Sequence, residues 1–112
     1  LLVIAAVLYI PRLMGLKTYK VLSGSMEPEY HVGSVVYVEK SSIDDIEVGD
    51  VITFYINDNT VVTHRVIDKD NDTESFHTKG DANETEDGGS VAYDKVVGKV
   101  VLNVPYLGYI LR

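Results

Sequence analysis

At 112 residues the chain has room for one domain with a modest core. It contains no cysteine, which excludes an internal disulfide scaffold and a thiolate metal site. A net charge of -7 without any Lys/Arg cluster argues against a nucleic-acid partner, because such domains carry a basic patch that neutralises phosphates.

Leu1 to Ile10 is an unbroken apolar run closed by Pro11 and Arg12. A spanning helix needs about 20 apolar residues, so this run is about half of one, and residues 1–16 are read as a truncated membrane anchor. A buried core helix is the competing reading. A signal peptide would show a charged n-region and a small-residue cleavage site before the folded part.

Lys20-Val21-Leu22 then reads as a short strand that runs into Ser23-Gly24-Ser25 and is stopped by Pro28. Gly24 permits backbone conformations or close approaches that a side chain forbids, and Pro28 cannot continue a central sheet. That arrangement holds a hydroxyl at the lip of a sheet, which makes Ser25 the candidate nucleophile. An ordinary Ser/Gly turn is the plain alternative for these residues alone.

From Lys17 onward, β-rich runs alternate with turn signals. Val35 to Glu39, Val51 to Ile56, Val61 to Ile67, Ser75 to Lys79 and Val96 to Val101 are dense in Val, Ile, Tyr, Phe and Thr, residues that suit a pleated, half-buried surface. Asn57-Asp58-Asn59 reads as a hairpin loop. Gly33, Gly49 and Gly80 punctuate other runs, and Gly98 inside the last run suggests a bulge or a close backbone approach. The expected fold is all-β or mainly β, a small coiled sheet or barrel over residues 17–104.

Alternation in Val61 to Ile67 puts Val62, His64 and Val66 on one face. Apolar neighbours favour a neutral imidazole, the form that can accept a proton, so His64 is the candidate general base. A core histidine satisfied by a backbone carbonyl is the competing reading. His31 and His77 lack this context and are expected at the surface. Asp81, Glu84, Glu86 and Asp87 form an acidic stretch before Gly88-Gly89. It is either a solvated loop or the source of a carboxylate that orients the histidine through its other ring nitrogen.

Asp68-Lys69-Asp70-Asn71-Asp72 begins like a calcium loop but fails as one. Thr73 stands where the sharp turn needs glycine, and Lys79 where a bidentate glutamate is needed. It is read as a polar surface loop. No metal or cofactor is called for. The final Pro105 to Arg112 segment reads as an interfacial element or the start of a second membrane segment.

Ser23-Gly24-Ser25-Met26-Glu27-Pro28 resembles the nucleophile box of type I signal peptidases. Thr63-His64-Arg65-Val66 is similar to that family's general-base box, and Thr78-Lys79-Gly80-Asp81-Ala82-Asn83 with Asp87 to its acidic box, in the family's order. His64 stands where the commoner bacterial branch has lysine, so the chain resembles the branch shared by the endoplasmic reticulum, archaea and Gram-positive spore-formers. Ser34 departs from the family's usual aspartate after the first-turn glycine.

The resemblance implies a membrane-bound serine endopeptidase that removes signal peptides from secreted precursors, with its catalytic domain on the extracytoplasmic side. It implies Ser25 as nucleophile, His64 as base, Asp87 as the histidine's orienter and Asp81 as support for the site's geometry. The Ser25 N–H and the Ser23 hydroxyl are the implied oxyanion donors, and Met26 and Pro28 shape the substrate groove. The implied partners are signal-peptide-bearing precursors and the lipid bilayer; accessory subunits are unnamed by the sequence. Two other classes fit the strands: a non-enzymatic membrane-tethered β-rich surface module, and a repressor-type self-cleaving peptidase, which would want a lysine base.

Overall fold

In the computed structural model, residues 15–21 and 23–104 are described. Seven strands form one antiparallel sheet: β1 (Lys17–Lys20), β2 (Val35–Glu39), β3 (Val51–Asn57), β4 (Thr60–Asp70), β5 (Ser75–Lys79), β6 (Val91–Ala92) and β7 (Val96–Val104). Their order across the sheet is β1-β2-β7-β3-β4-β5-β6. The mainly β expectation holds. The anchor expected over residues 1–16 lies largely outside the described residues, as does Pro105 to Arg112. Among the described residues, no helix is long and apolar enough to cross a membrane.

Two apolar clusters hold the sheet. Ile46, Ile52, Phe54, Val66, Phe76 and Val91 pack into the larger one. Val35 and Tyr37 form a smaller one near Leu16 and Val104. In β4 the buried residues His64 and Val66 alternate with partly exposed ones, whereas β3 is buried on both faces from Val51 to Phe54.

Sheet curvature decides where the site falls. Partners along β7 skip a residue twice, from Leu102 to Val100 opposite β2 and from Gly98 to Val96 opposite β3. Such bulges bend a strand and raise its twist. At Gly98 the reading of a close backbone approach is met, because a Cβ there would stand 2.1 Å from the Glu39 carbonyl oxygen. The curl carries β1 round toward β4, and both strands line a single cleft of about 440 Å³.

Some boundaries differ from the sequence reading. The first strand ends at Lys20, so Val21 lies beyond it. Asp68 to Asp70, expected in a loop, complete β4 opposite Ser75 to His77. The ladder overrides their poor β-propensity, and the Lys69 ammonium donates to the Ile43 and Ile46 carbonyls at 2.9 and 3.0 Å. The turn follows at Asn71, where Asp70 Oδ1 accepts from the N–H groups of Asp72 and Thr73. The β3–β4 hairpin loop is shorter than expected, since Asn57 already pairs with Thr60.

Candidate active site

Ser25 sits in a single 3₁₀ turn, Gly24–Met26, that follows β1. Ser23 caps this turn in an extended conformation, with its hydroxyl 3.0 Å from Ser25 Oγ and 3.5 Å from the Ser25 nitrogen. Met26 is buried and anchors the turn, its sulfur accepting from the Asp81 N–H at 3.3 Å. The cis Glu27–Pro28 peptide closes it, and Pro28 is exposed.

His64 comes from the middle of β4, on the face shared with Val66, as strand alternation predicts. It is 8% exposed, and its ring meets Phe54 edge-on with centroids 6.3 Å apart. Nε2 lies 3.0 Å from Ser25 Oγ, and Nδ1 lies 2.7 Å from Asp87 Oδ2. An ionised carboxylate can only accept, so Nδ1 carries the proton and Nε2 is left to accept from the serine.

Asp87 belongs to the irregular segment after β5, and two contacts with Thr78 fix it there. Its N–H donates to the Thr78 carbonyl at 2.9 Å, and the Thr78 hydroxyl donates to Asp87 Oδ2 at 2.6 Å. Thr78 itself is fully buried. Composition does not mark this contact. Its signal was available in retrospect: Thr78 pairs with Val66 and so shares the His64 face.

Asp81 points elsewhere. Its carboxylate takes a bidentate pair from Arg65, with Nε and Nη2 donating at 2.8 Å each, while Arg65 Nη1 donates to the Gly49 carbonyl at 2.7 Å. The Arg65 hydrogen bond holds the Asp81 carboxyl below the usual aspartate value and raises Arg65 above its own. Burial raises the neighbouring Tyr30 phenol.

The loop that carries Asp81 also clasps the nucleophile turn. The Ala82 N–H donates to the Ser25 carbonyl at 2.8 Å. Gly80 is needed for that approach, since a Cβ would stand 2.6 Å from the Ser25 carbonyl oxygen and 2.7 Å from Asn83 Nδ2. Arg65 therefore ties the base strand to the loop that positions the serine.

The expected surface positions of His31 and His77 are only partly met, as both are half-buried. His31 Nδ1 lies 2.5 Å from Glu27 Oε2, and His77 is opposite Asp68 in the sheet. Glu84 and Glu86 are exposed, in keeping with a solvated loop there.

Ser25, His64 and Met26 face the cleft between β1 and β4, together with Tyr19, Val21 and Val62. A second cavity of about 480 Å³ lies on the Asp87 side of the imidazole, walled by Phe54, Val62 and Val91. The imidazole thus stands between two spaces, with the hydroxyl in one and the carboxylate bordering the other. A hydroxyl, a neutral imidazole and a carboxylate in this sequence can perform acyl transfer.

The chain is similar to known signal peptidases. The profile described as "Signal peptidase, peptidase S26" matches residues 1–80. Signal peptidase I W of Bacillus subtilis (strain 168) is 43% identical over 89 residues, covering 77% of this chain and 47% of the relative. The signal peptidase complex catalytic subunit SEC11C of Homo sapiens is 36% identical over 101 residues, covering 80% of this chain and 53% of the relative. SEC11 of Fusarium vanettenii is 33% identical over the same length, covering 80% and 59%. The chain spans about half the length of the curated relatives it matches.

Proposed function

Because the chain belongs to the signal peptidase family, peptidase S26, we propose that it is a membrane-bound serine endopeptidase that removes signal peptides from secreted precursor proteins. Ser25 is the nucleophile, His64 the general base and Asp87 the group that orients His64. The observation that carries this reading is the unbroken hydrogen-bonded line from Ser25 Oγ through His64 to Asp87, at 3.0 and 2.7 Å.

The reaction follows from that line. As Ser25 Oγ attacks the scissile carbonyl carbon, its proton passes to His64 Nε2, and Asp87 stabilises the imidazolium that forms. The same proton goes to the leaving amine as the C–N bond breaks, leaving an acyl-enzyme and the neutral imidazole. His64 then takes a proton from water as the hydroxide adds to the ester carbonyl, and the imidazolium returns that proton to Ser25 Oγ as the acyl C–O bond breaks, releasing the acid product. The Ser25 N–H and the Ser23 hydroxyl supply the oxyanion donors, and one such donor is typically worth about 3 to 4 kcal/mol.

The cleft beside β1 takes the precursor as an extended strand, with small residues at the first and third positions before the cut. Asp81 supports the geometry through Arg65 and the Ala82 contact. Residues 17–104 form the catalytic domain on the extracytoplasmic side, with residues 1–16 as part of an anchor and 105–112 as a further membrane-facing segment. The decisive experiment is Ser25→Ala in the full-length protein, assayed in detergent on a precursor peptide. Cleavage should vanish while circular dichroism stays unchanged, because a half-buried turn hydroxyl adds little to packing. Full activity in that variant would sink the proposal.

A further inference from the structure

Resting on the Ser25–His64–Asp87 reading, we infer that Thr78 is a positioning residue for the reaction, acting through Asp87. Its buried hydroxyl donates to Asp87 Oδ2, the same oxygen that His64 Nδ1 approaches, at 2.6 and 2.7 Å. Two donors on one oxygen leave the carboxylate a single orientation, and that orientation fixes the imidazole plane and directs Nε2 at Ser25.

The need for such a contact follows from where Asp87 sits. Asp87 lies outside the strands, in a loop otherwise composed of exposed residues from Ala82 to Glu86 and from Gly88 to Ser90, and its side chain is 28% exposed. A loop carboxylate left to itself would exchange its His64 contact for water. Thr78, by contrast, is on β5, with no exposed surface and with its backbone in the ladder to Val66. The paired contacts, Asp87 N–H to Thr78 carbonyl and Thr78 hydroxyl to Asp87 carboxylate, transfer the rigidity of the sheet to the loop. A buried hydroxyl needs a partner in any fold, so satisfaction of Thr78 alone would explain one hydrogen bond. It does not require the partner to be the oxygen already engaged by the histidine.

The test uses the full-length protein and compares Thr78→Val, Thr78→Ser and Ser25→Ala with the parent, together with Thr78→Val placed in an Asp87→Ala background. Valine keeps the volume and removes the donor; serine keeps the donor. Loss of a hydrogen bond to a charged group predicts a fall in kcat on the order of tenfold for Thr78→Val, with KM unchanged. Thr78→Ser should recover most of that loss. In the Asp87→Ala background Thr78→Val should cost nothing further, because the group it acts through is gone. Parental kcat in a folded Thr78→Val protein would overturn the inference, as would an equal loss in Thr78→Ser or the same tenfold loss without Asp87. Ser25→Ala separates the two levels. If it is inactive while Thr78→Val is fully active, only the Thr78 role fails; if it retains activity, the nucleophile assignment fails first.

Discussion

Replacing Asp81 with Asn tests whether the Arg65 pair is a structural tie. The two side chains are 31% and 21% exposed, and two donors meet two carboxylate oxygens at 2.8 Å. Exposed ion pairs contribute up to about 1 kcal/mol, and hydrogen bonds to charged groups about 1.5–3 kcal/mol, so a bidentate, half-shielded pair falls near 1.5 kcal/mol. Asparagine keeps one acceptor but turns an NH₂ group toward Arg65 Nη2. The expected cost is therefore about 1.5 kcal/mol, or roughly 6–12 °C in Tm for a domain of this size.

The dependence on pH is the sharper signature. The Arg65 hydrogen bond holds the folded-state pKa of the Asp81 carboxyl below the ordinary aspartate value, so its contribution is fully present above that ordinary value. It is lost as pH falls through the folded value. Thermal unfolding of parent and variant in the same detergent should show the full gap at about pH 7 and a shrinking gap below about pH 4. A gap that stays constant into acid, or no gap at neutral pH, would refute the reasoning.

Substitutions at two further positions probe the site. His64→Ala should be nearly as damaging as Ser25→Ala, with the double variant little worse than either, and His64→Lys should not recover the rate, since lysine stays charged without a desolvated pocket of its own. Precursor-peptide kinetics on the four proteins decide this, and efficient cleavage by the lysine variant would show that the position accepts either base. Gly80→Ala should push the Ser25 carbonyl by its new Cβ, costing about 1–3 kcal/mol of stability and a further loss in kcat. A Gly80→Ala protein with parental kcat would mean that the clasp on the nucleophile turn is irrelevant to catalysis.

The strands were legible because their signals are local. Val35 to Glu39 and Ser75 to Lys79 coincide with β2 and β5, the first marked by three valines and a tyrosine and the second by Phe76 and Thr78. Strand parity also put His64 on the right face. What composition hid was pairing imposed from elsewhere: Asp68 to Asp70 are in β4 because β5 completes the ladder, and Val91–Ala92 is too short to carry any periodic signal. Composition alone leaves Asp81 and Asp87 equivalent, and only the family resemblance favours Asp87 as the orienter. Both are acidic residues in one loop, and only the placement of Arg65 on the opposite face from His64 sends one carboxylate to the guanidinium and the other to the imidazole. Thr78 is legible as a strand residue at the start of the acidic box, but nothing local marks its contact with Asp87.

The position of β7 sets a constraint on timing. β7, the last of the described strands, lies third in the sheet, between β2 and β3. Ser25 belongs to the β1–β2 side and His64 to the β3–β6 side, and β7 supplies the ladder that joins them. A nascent chain that has emerged only as far as Lys95 already contains Ser25 and His64, yet the ladder that brings the two halves together is absent. Assembly waits on contacts distant in sequence, the slow kind. On the proposed reading, Ser25 and His64 are held together only once Val96–Val104 has joined the sheet.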